Sequence, residues 1–351
     1  MDPKKLLFKI YVCLVIHSEK IVYERRKVVK ELTGKQINKL NSDVSDRNKL
    51  KRSILFREIF KNKYIYLMLL PVISYFIIFN YLPMYGIIIA FKDFRAGFGI
   101  IKSPWVGFKH FETFFGSYYC WRIIRNTFLL NFYDLIFAFP APIILAVLLN
   151  ELRSERYKKV VQTVSYLPHF ISTVVAVGFV GTFFSQDGII NNLLLTLGFE
   201  RVNFIFEPQW FRPLYIGSGI WQGIGWGSII YLAAISGIDP QLYETATIDG
   251  AGRFAKIFHI TIPSIVPTII ILLIFRVGDM MSVGFEKVFL MYNPATYVTA
   301  DVISTFVYRS GFGNAQYSYS TAIGLFNTII DFILLILANY SARKISENSL
   351  W

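Results

Sequence analysis

The stretch "YETATIDGAGRFAKIFHITIP" (residues 243–263) decides how this chain is organised. It is amphipathic and mildly basic, and apolar runs long enough to cross a bilayer stand on both sides of it. Asp239-Pro240, just upstream, is a helix start: the Asp side chain can accept from free N–H groups, and Pro suits the first helical position. A helix then runs through Glu244 to Asp249. Gly250 stops it, because glycine takes up the left-handed cap without strain. Phe254, Ile257, Phe258 and Ile262 fall at i, i+3, i+4 and i+8, one apolar stripe. Arg253, Lys256 and His259 point elsewhere. Pro263 closes this second helix and opens the next apolar run. The spacing predicts two short helices with a bend. A bare connection needs only a few residues and no ordered stripe, so the stripe must pack on the chain's own helix ends or on a partner.

Composition places this segment in a membrane protein. Of 351 residues, 54% are hydrophobic and 33 are Phe, and the mean hydropathy is +0.47. Charged residues make up 17%, below the ~25% of a soluble domain. Several apolar runs reach the ~20 residues that cross ~30 Å of hydrocarbon. They are too long for tilted barrel strands and lack period-two alternation, so the fold class is an all-α membrane protein. Six transmembrane helices are expected, at 64–90, 127–149, 164–184, 214–236, 262–285 and 321–340.

Charge sets the expected orientation. Residues 1–63 hold seventeen Lys and Arg against seven Asp and Glu. Such a basic arm beside a span is a cytosolic retention signal; nucleic-acid binding is its other use and is not expected here. "LLFKIYVCLVI" (6–16) is too short to span, and no small-residue cleavage site follows it. It reads as an interfacial helix or an unstructured arm. With the amino terminus inside, 150–163, 237–261 and 341–351 are cytosolic. Arg153, Arg156, Lys158, Lys159, Arg343 and Lys344 fit the positive-inside rule there. The outside loop 91–126 conflicts with it, carrying Lys92, Arg95, Lys102, Lys109, Arg122 and Arg125. The expected organisation is a basic arm (1–60), a six-span domain (61–345) and a short tail (346–351).

Several chemistries are absent from the sequence. No G-x-x-x-x-G-K-[ST] loop is present to cradle a nucleotide phosphate, so any ATP chemistry belongs to another chain. Cys13 and Cys120 are expected on opposite sides of the membrane. No Cys or His pair has metal-ligand spacing, and no nucleophile–base set is visible, so neither a metal nor a catalytic residue is expected.

The opening stretch carries a resemblance. It is similar to the EAA loop of permease subunits in binding-protein-dependent ABC importers, whose pattern is E-A-A-x-x-D-G-A, about nine residues, then I-x-L-P. Glu244, Ala246, Asp249, Gly250, Ala251 and Pro263 match; Thr245 replaces the first Ala. "SPWVGFKHF", "SYLPHFIS", "GIGWGSIIYLAAISGIDPQLYE", "VGFEKVFLMYNP" and "ADVISTFVYRSG" resemble the branch that carries complex oligosaccharides. The resemblance covers about residues 50–345. It implies the type I importer permease fold, with the loop at 239–263 docked in a cleft of a cytosolic ATPase. Glu244 would meet a basic residue there, Gly250 would allow the bend, and Phe254 and Ile257, with Arg253 and Phe258 beside them, would supply the contact. It further implies a second related permease, two copies of the ATPase carrying ATP and Mg, an extracytoplasmic solute-binding protein, an oligosaccharide or polysaccharide substrate, and a prokaryotic cytoplasmic membrane. The chain itself would bind no cofactor and hydrolyse nothing.

"ILLIFRVGDMMSVGFEKVF" (271–289) sets Arg276 and Asp279 inside an apolar run. A charge at mid-bilayer costs roughly 2.5–3.5 kcal/mol on insertion scales. Three residues apart on a helix, the two can pair, and Glu286 lies seven beyond Asp279 on the same side. Two readings stay open: a structural pair locking helices, or a polar stripe along a sugar pathway. Sugars need hydroxyl-binding polar groups beside aromatic faces, and Trp221, Gln222 and Trp226 offer both, with Tyr75, Asn131 and Asn327 behind them. Asp134 and Asp331 read as helix–helix hydrogen-bonding groups. Pro71, Pro83, Pro140, Pro142 and Pro168 are expected to bend the spans. Two other functions remain open. An ion-coupled secondary transporter would use Arg276, Asp279 and Asp331 but leaves the helix pair unexplained. A membrane-embedded sensor or assembly protein would transport nothing.

Overall fold

The computed structural model describes residues 61–345; the expected basic arm and tail lie outside the described residues. The chain divides into two units, Met1–Met84 and Tyr85–Trp351. Of the first, a helical run is described that starts at Lys63 and holds a π-turn at Ile77–Tyr81. As part of α1 (Lys63–Phe91) it is long and apolar enough to cross a membrane.

The second unit is helical. The main helices are α2 (Tyr118–Asn150), α3 (Glu155–Phe170), α4 (Thr173–Phe183), α5 (Pro208–Ser236), α6 (Pro240–Ile248), α7 (Arg253–Gly278), α8 (Phe285–Met291), α9 (Ile303–Tyr308) and α10 (Tyr317–Lys344). Among the described residues, α1, α2, α7 and α10 are each apolar and long enough to span; the bent pair α3–α4 makes five if counted as one span. α5 has 29 residues, about 43 Å at 1.5 Å per residue. Its Gly, Trp and Gln residues keep it less apolar than the others.

α5 is the hub: α2, α3, α4, α7 and α8 pack on it. Its glycines allow this. A Cβ on Gly225 would run into the Ser165 backbone carbonyl of α3, so only glycine fits at that crossing, in the manner of small-residue helix contacts in membranes. Three buried clusters hold the unit together. Phe114, Ile123, Met281, Ile303 and Ile323 form one; Leu130, Phe211, Val283, Val288 and Val302 the second; Ala146, Tyr231, Ile235 and Ile265 the third.

Three expectations are corrected. The run 164–184 is not one helix: α3 and α4 meet at 102°. Pro168 has no N–H to continue the ladder, Ile171 is extended, and the Ser172 hydroxyl accepts from the Val175 N–H (3.4 Å) to start α4. The Ile171 carbonyl freed at this break accepts from the Gln222 side-chain amide of α5 (2.8 Å), the kind of rescue that broken helices in membranes require. Second, Pro263 does not separate a short helix from a span. α7 runs unbroken from Arg253 to Gly278, and a π-turn at Ile257–Thr261 precedes the proline. A π-turn absorbs the register change locally instead of breaking the helix. Third, the expected span 262–285 stops as a helix at Gly278, with Asp279 at its cap.

Three of the six cations of the 91–126 loop that conflicted with the orientation rule have partners within the fold. Lys92 Nζ donates to the Ile100 and Ile101 carbonyls at 2.8 and 3.0 Å, and Arg95 pairs with Asp93. Arg122 pairs with Asp301 across the fold (3.3 Å).

Candidate functional site: a braced helix pair and a polar cavity

The 239–263 segment is built as its residues dictate. The Asp239 carboxylate accepts from the Gln241 N–H at 2.9 Å and opens α6. Gly250 takes φ +77°, a conformation that costs an L side chain roughly 1–2 kcal/mol. The Ala251 N–H donates to the Ala246 carbonyl (2.8 Å) and the Gly250 N–H to Thr247 (3.1 Å), closing the helix end. That is the Schellman pattern. Two side-chain hydrogen bonds then brace α6 against α7: Tyr243 with Thr261 (2.9 Å), and Lys256 Nζ to the Thr247 hydroxyl (2.7 Å). The bend is therefore tied at its tip and at its base. Ile257 is half-buried, while Glu244, Arg253, Phe254 and Phe258 face outward. Phe254 and Phe258 are 78% and 61% exposed, so the fold leaves the aromatic half of the apolar stripe uncovered.

A polar cavity of about 280 Å³ lies between α2, α5, α7 and the 279–287 segment, near the small end of the ~300–1,000 Å³ range of ligand pockets. Arg276 ion-pairs with Asp134 of α2, and also approaches the Asn131 Oδ1 at 3.4 Å. Asp134 starts a π-turn, Asp134–Ala138, just before Pro140, and π-turns commonly re-aim side chains at functional sites. Gln222, Ser282 and Lys287 complete the polar lining. Lys287 Nζ donates to the Tyr215 carbonyl (2.8 Å) and stands 4.8 Å from the centre of that ring.

Of the expected pathway residues, the structure brings Arg276 and Gln222 to this cavity, with Asn131. The expected Arg276–Asp279 pair does not form: the helix ends between them, Asp279 turns to the surface, and Asp134 takes its place. Glu286 is exposed and begins a different helix, so it shares no face with Arg276. Trp221 lines a separate apolar cavity of about 300 Å³ with Phe179 and Phe183. Trp226 stacks on His169 at 4.4 Å, beside the α3–α4 break. Asn327 approaches Asp331 (3.4 Å). Asp331 also accepts from the Met281 N–H and the Ser282 hydroxyl, both at 2.7 Å, which makes it a helix-to-loop tie. Tyr215 and Lys287 are cavity residues that the sequence did not single out, whereas Asp134, read as a helix–helix hydrogen-bonding group, ties α2 to Arg276 of α7. Lys287 carried a signal, being a lone cation beside the apolar run 288–291.

Towards the start of α2, the buried Asp301 carboxylate holds Arg122 at 3.3 Å and Arg309 at 2.8 Å, and accepts from the Thr305 hydroxyl (3.0 Å). Burial alone would lower the Arg309 pKa; hydrogen bonding and attraction to Asp301 outweigh it, and the net shift is upward. Among the described residues no group of His, Cys, Asp or Glu could hold a metal ion.

These features define a helical membrane protein with a polar cavity among its spans and a braced helix bend with exposed aromatic residues at the start of α7. Comparison with known proteins gives the class a family. Residues 121–347 match the family of binding-protein-dependent transport system inner membrane components. Protein LplB of Bacillus subtilis (strain 168) is 47% identical over 292 residues, covering 83% of this chain and 92% of that protein. The polygalacturonan/rhamnogalacturonan transport system permease protein YteP of the same organism is 45% identical over 304 residues, covering 86% and 95%. Among solved structures, a bacterial ABC transporter involved in the import of the acidic polysaccharide alginate contains a chain with TM-score 0.78 and 48% identity, covering 83% of this chain and 99% of that one. The chain belongs to this family: it is a non-catalytic permease subunit of an ABC importer, and the ATPase is a separate chain. Nothing in these comparisons supports ion-coupled transport.

Proposed function

We propose that this chain forms half of the membrane pathway of an ATP-driven importer for an oligosaccharide or a polysaccharide fragment. The substrate class rests on the relatives, which include a polygalacturonan/rhamnogalacturonan permease and an alginate importer. In this reading α5 is the sixth span, added to α1, α2, α3–α4, α7 and α10, and the amino terminus is cytosolic. A second, related permease completes the pathway. Two ATPase subunits, which carry the ATP and Mg, dock at the 239–263 segment. A solute-binding protein delivers sugar to the outer loops; one of the solved relatives is in complex with a periplasmic protein bound to an alginate pentasaccharide.

The observation that carries this reading is the braced bend with its outward Phe254 and Phe258. A face of that kind, held rigid and left open, transmits a push: rigid-body closure of the ATPase pair moves the bend, and the bend moves α7 without flexing. Glu244, Ala246, Asp249, Gly250, Ala251, Arg253 and Ile257 complete the docking segment. Arg276, Gln222 and Asn131 would meet sugar hydroxyls as the chain passes. The test is uptake by the assembled importer carrying Gly250→Pro or Glu244→Lys. Both variants are expected to reach the membrane and to lose substrate-coupled uptake; uptake at the parent rate in either one contradicts the docking role.

A further inference from the structure

On its α5 side the polar cavity is lined by Tyr215, Gly219 and Gln222. These fall at i, i+4 and i+7, one stripe of the helix, and the next residue on that stripe is Trp226. It lies about 6 Å further along the axis, one turn nearer Ser236. The indole is 47% exposed. His169 stacks on it with ring centres 4.4 Å apart and planes 1° apart, and Phe170 meets it edge-on at 5.8 Å. Trp226 stands ten residues from the end of α5 at Ser236, about 15 Å, half the hydrocarbon thickness and deeper than the interface at which tryptophans anchor spans. His169 is exposed as well. Among the described residues no group hydrogen-bonds its imidazole, whose contacts are the rings of Phe170 and Trp226. A histidine at such depth faces the bundle interior or a water-filled space rather than lipid. The pair is held from behind: Gln222 donates to the Ile171 carbonyl at 2.8 Å, and Gly225 lets the Ser165 backbone of α3 close on α5.

We infer that the His169–Trp226 pair is a second sugar contact of the pathway: a pyranose ring stacks its C–H face on the open side of the indole while the neighbouring unit lies among the polar groups of the cavity. This rests on the sugar-importer reading and adds a binding site to it. A pyranose carries C–H groups on its faces and hydroxyls around its edge. The electron-rich face of the indole attracts the C–H groups. His169 fixes the plane of the indole and offers a ring nitrogen to a hydroxyl. The two contacts are one helical turn apart, close to the length of one sugar unit, so a glycan bridges both and passes from one to the other. Stacking on the indole is blind to charge, so neutral and carboxylated units are held alike.

The test uses the complete importer, with this chain, its partner permease, the ATPase and the binding protein, reconstituted in proteoliposomes. The probes are tetrasaccharides of galacturonate and of mannuronate, each beside its carboxyl-reduced neutral counterpart. Two quantities are read: sugar uptake, and ATP hydrolysis stimulated by the sugar-loaded binding protein. Trp226→Leu is expected to slow uptake of every probe the parent moves by about fivefold to tenfold, the scale of one lost aromatic stack, with ATP hydrolysis within about twofold of the parent. Trp226→Phe keeps a flat ring and should retain most of the uptake. A packing role would lower both readouts together. A second measurement does not depend on rates. Trp226→Cys, in a chain carrying Cys13→Ser and Cys120→Ala, should react with a membrane-impermeant thiol reagent during turnover and be shielded by the transported probe. Parent-rate uptake by Trp226→Leu, equal falls in uptake and hydrolysis, or labelling of Trp226→Cys by lipid-soluble reagents alone overturns the inference and leaves the sugar-import reading standing. A parent that moves no glycan with ATP overturns both.

Discussion

Removing either half of the Arg276–Asp134 pair should damage the protein more than removing both. The pair joins α7 to α2 within the membrane, with side chains 33% and 21% exposed. Breaking a fully buried ion pair costs about 3–5 kcal/mol, because the remaining charge is stranded. Access from the cavity screens part of that, and about 2 kcal/mol per single variant is the expectation. For a chain of this size that is on the order of a 5 °C fall in Tm. Asp134→Leu strands the guanidinium; Arg276→Leu strands the carboxylate beside Lys287, which can partly compensate it, so Arg276→Leu should be the milder change. The double variant removes both charges and should recover most of the loss, since apolar replacement of an ion pair is often neutral. Thermal unfolding of the purified assembly in lipid nanodiscs gives the three shifts. Losses that simply add in the double variant would refute the pairing, because uncoupled sites are additive. Uptake gives a second readout: the stabilised double variant should still transport poorly if the cavity lies on the pathway.

Phe254→Ala with Phe258→Ala should leave membrane levels unchanged while ATPase co-purification falls by tenfold or more, each ring contributing roughly 1.5–3 kcal/mol when buried. Gly250→Asn should keep uptake within a fewfold of the parent, whereas Gly250→Val should lose it, because Asn tolerates the left-handed region and a β-branched residue does not; comparable uptake by the two would show that the positive φ is not required. Gly225→Leu forces α3 away from α5, and the yield of assembled complex should collapse; a normal yield would mean the crossing is looser than described. Asp301→Asn leaves Arg122 and Arg309 without their shared counter-charge and should lower Tm by a few degrees, about 1–3 kcal/mol for a lost charged hydrogen bond, measured by the same unfolding assay.

The sequence disclosed the parts of this protein whose signals are local. Caps, glycine and stripe lie within twenty-five residues at 239–263, and the helix ends at Asp239 and Gly250 stand where those residues place them. The long apolar runs likewise announced α1, α2, α7 and α10. What was not legible depends on partners far away in the chain. Asp279 lies three residues from Arg276 and Asp134 lies 142 away, so proximity in sequence suggested the wrong carboxylate. The deciding detail was the end of α7 at Gly278, which a hydropathy run that continues past it conceals. The break at Ser172 was hidden for the same reason: both sides of it are apolar, and only Pro168 and a capping serine mark it. Lys287 went unselected because it falls just past the drawn end of a span, although the chain folds it back against Tyr215.

The central claim is that the bend at 239–263 is the surface through which a separate ATPase drives this bundle. A photo-crosslinking amino acid placed at position 254, in the assembled importer, tests it directly, with position 118 at the exposed Tyr118 as the control on the other side. The account predicts that position 254 captures the ATPase both with and without nucleotide, and that position 118 never does. Position 254 capturing only lipid, or no ATPase in any nucleotide condition, would contradict it.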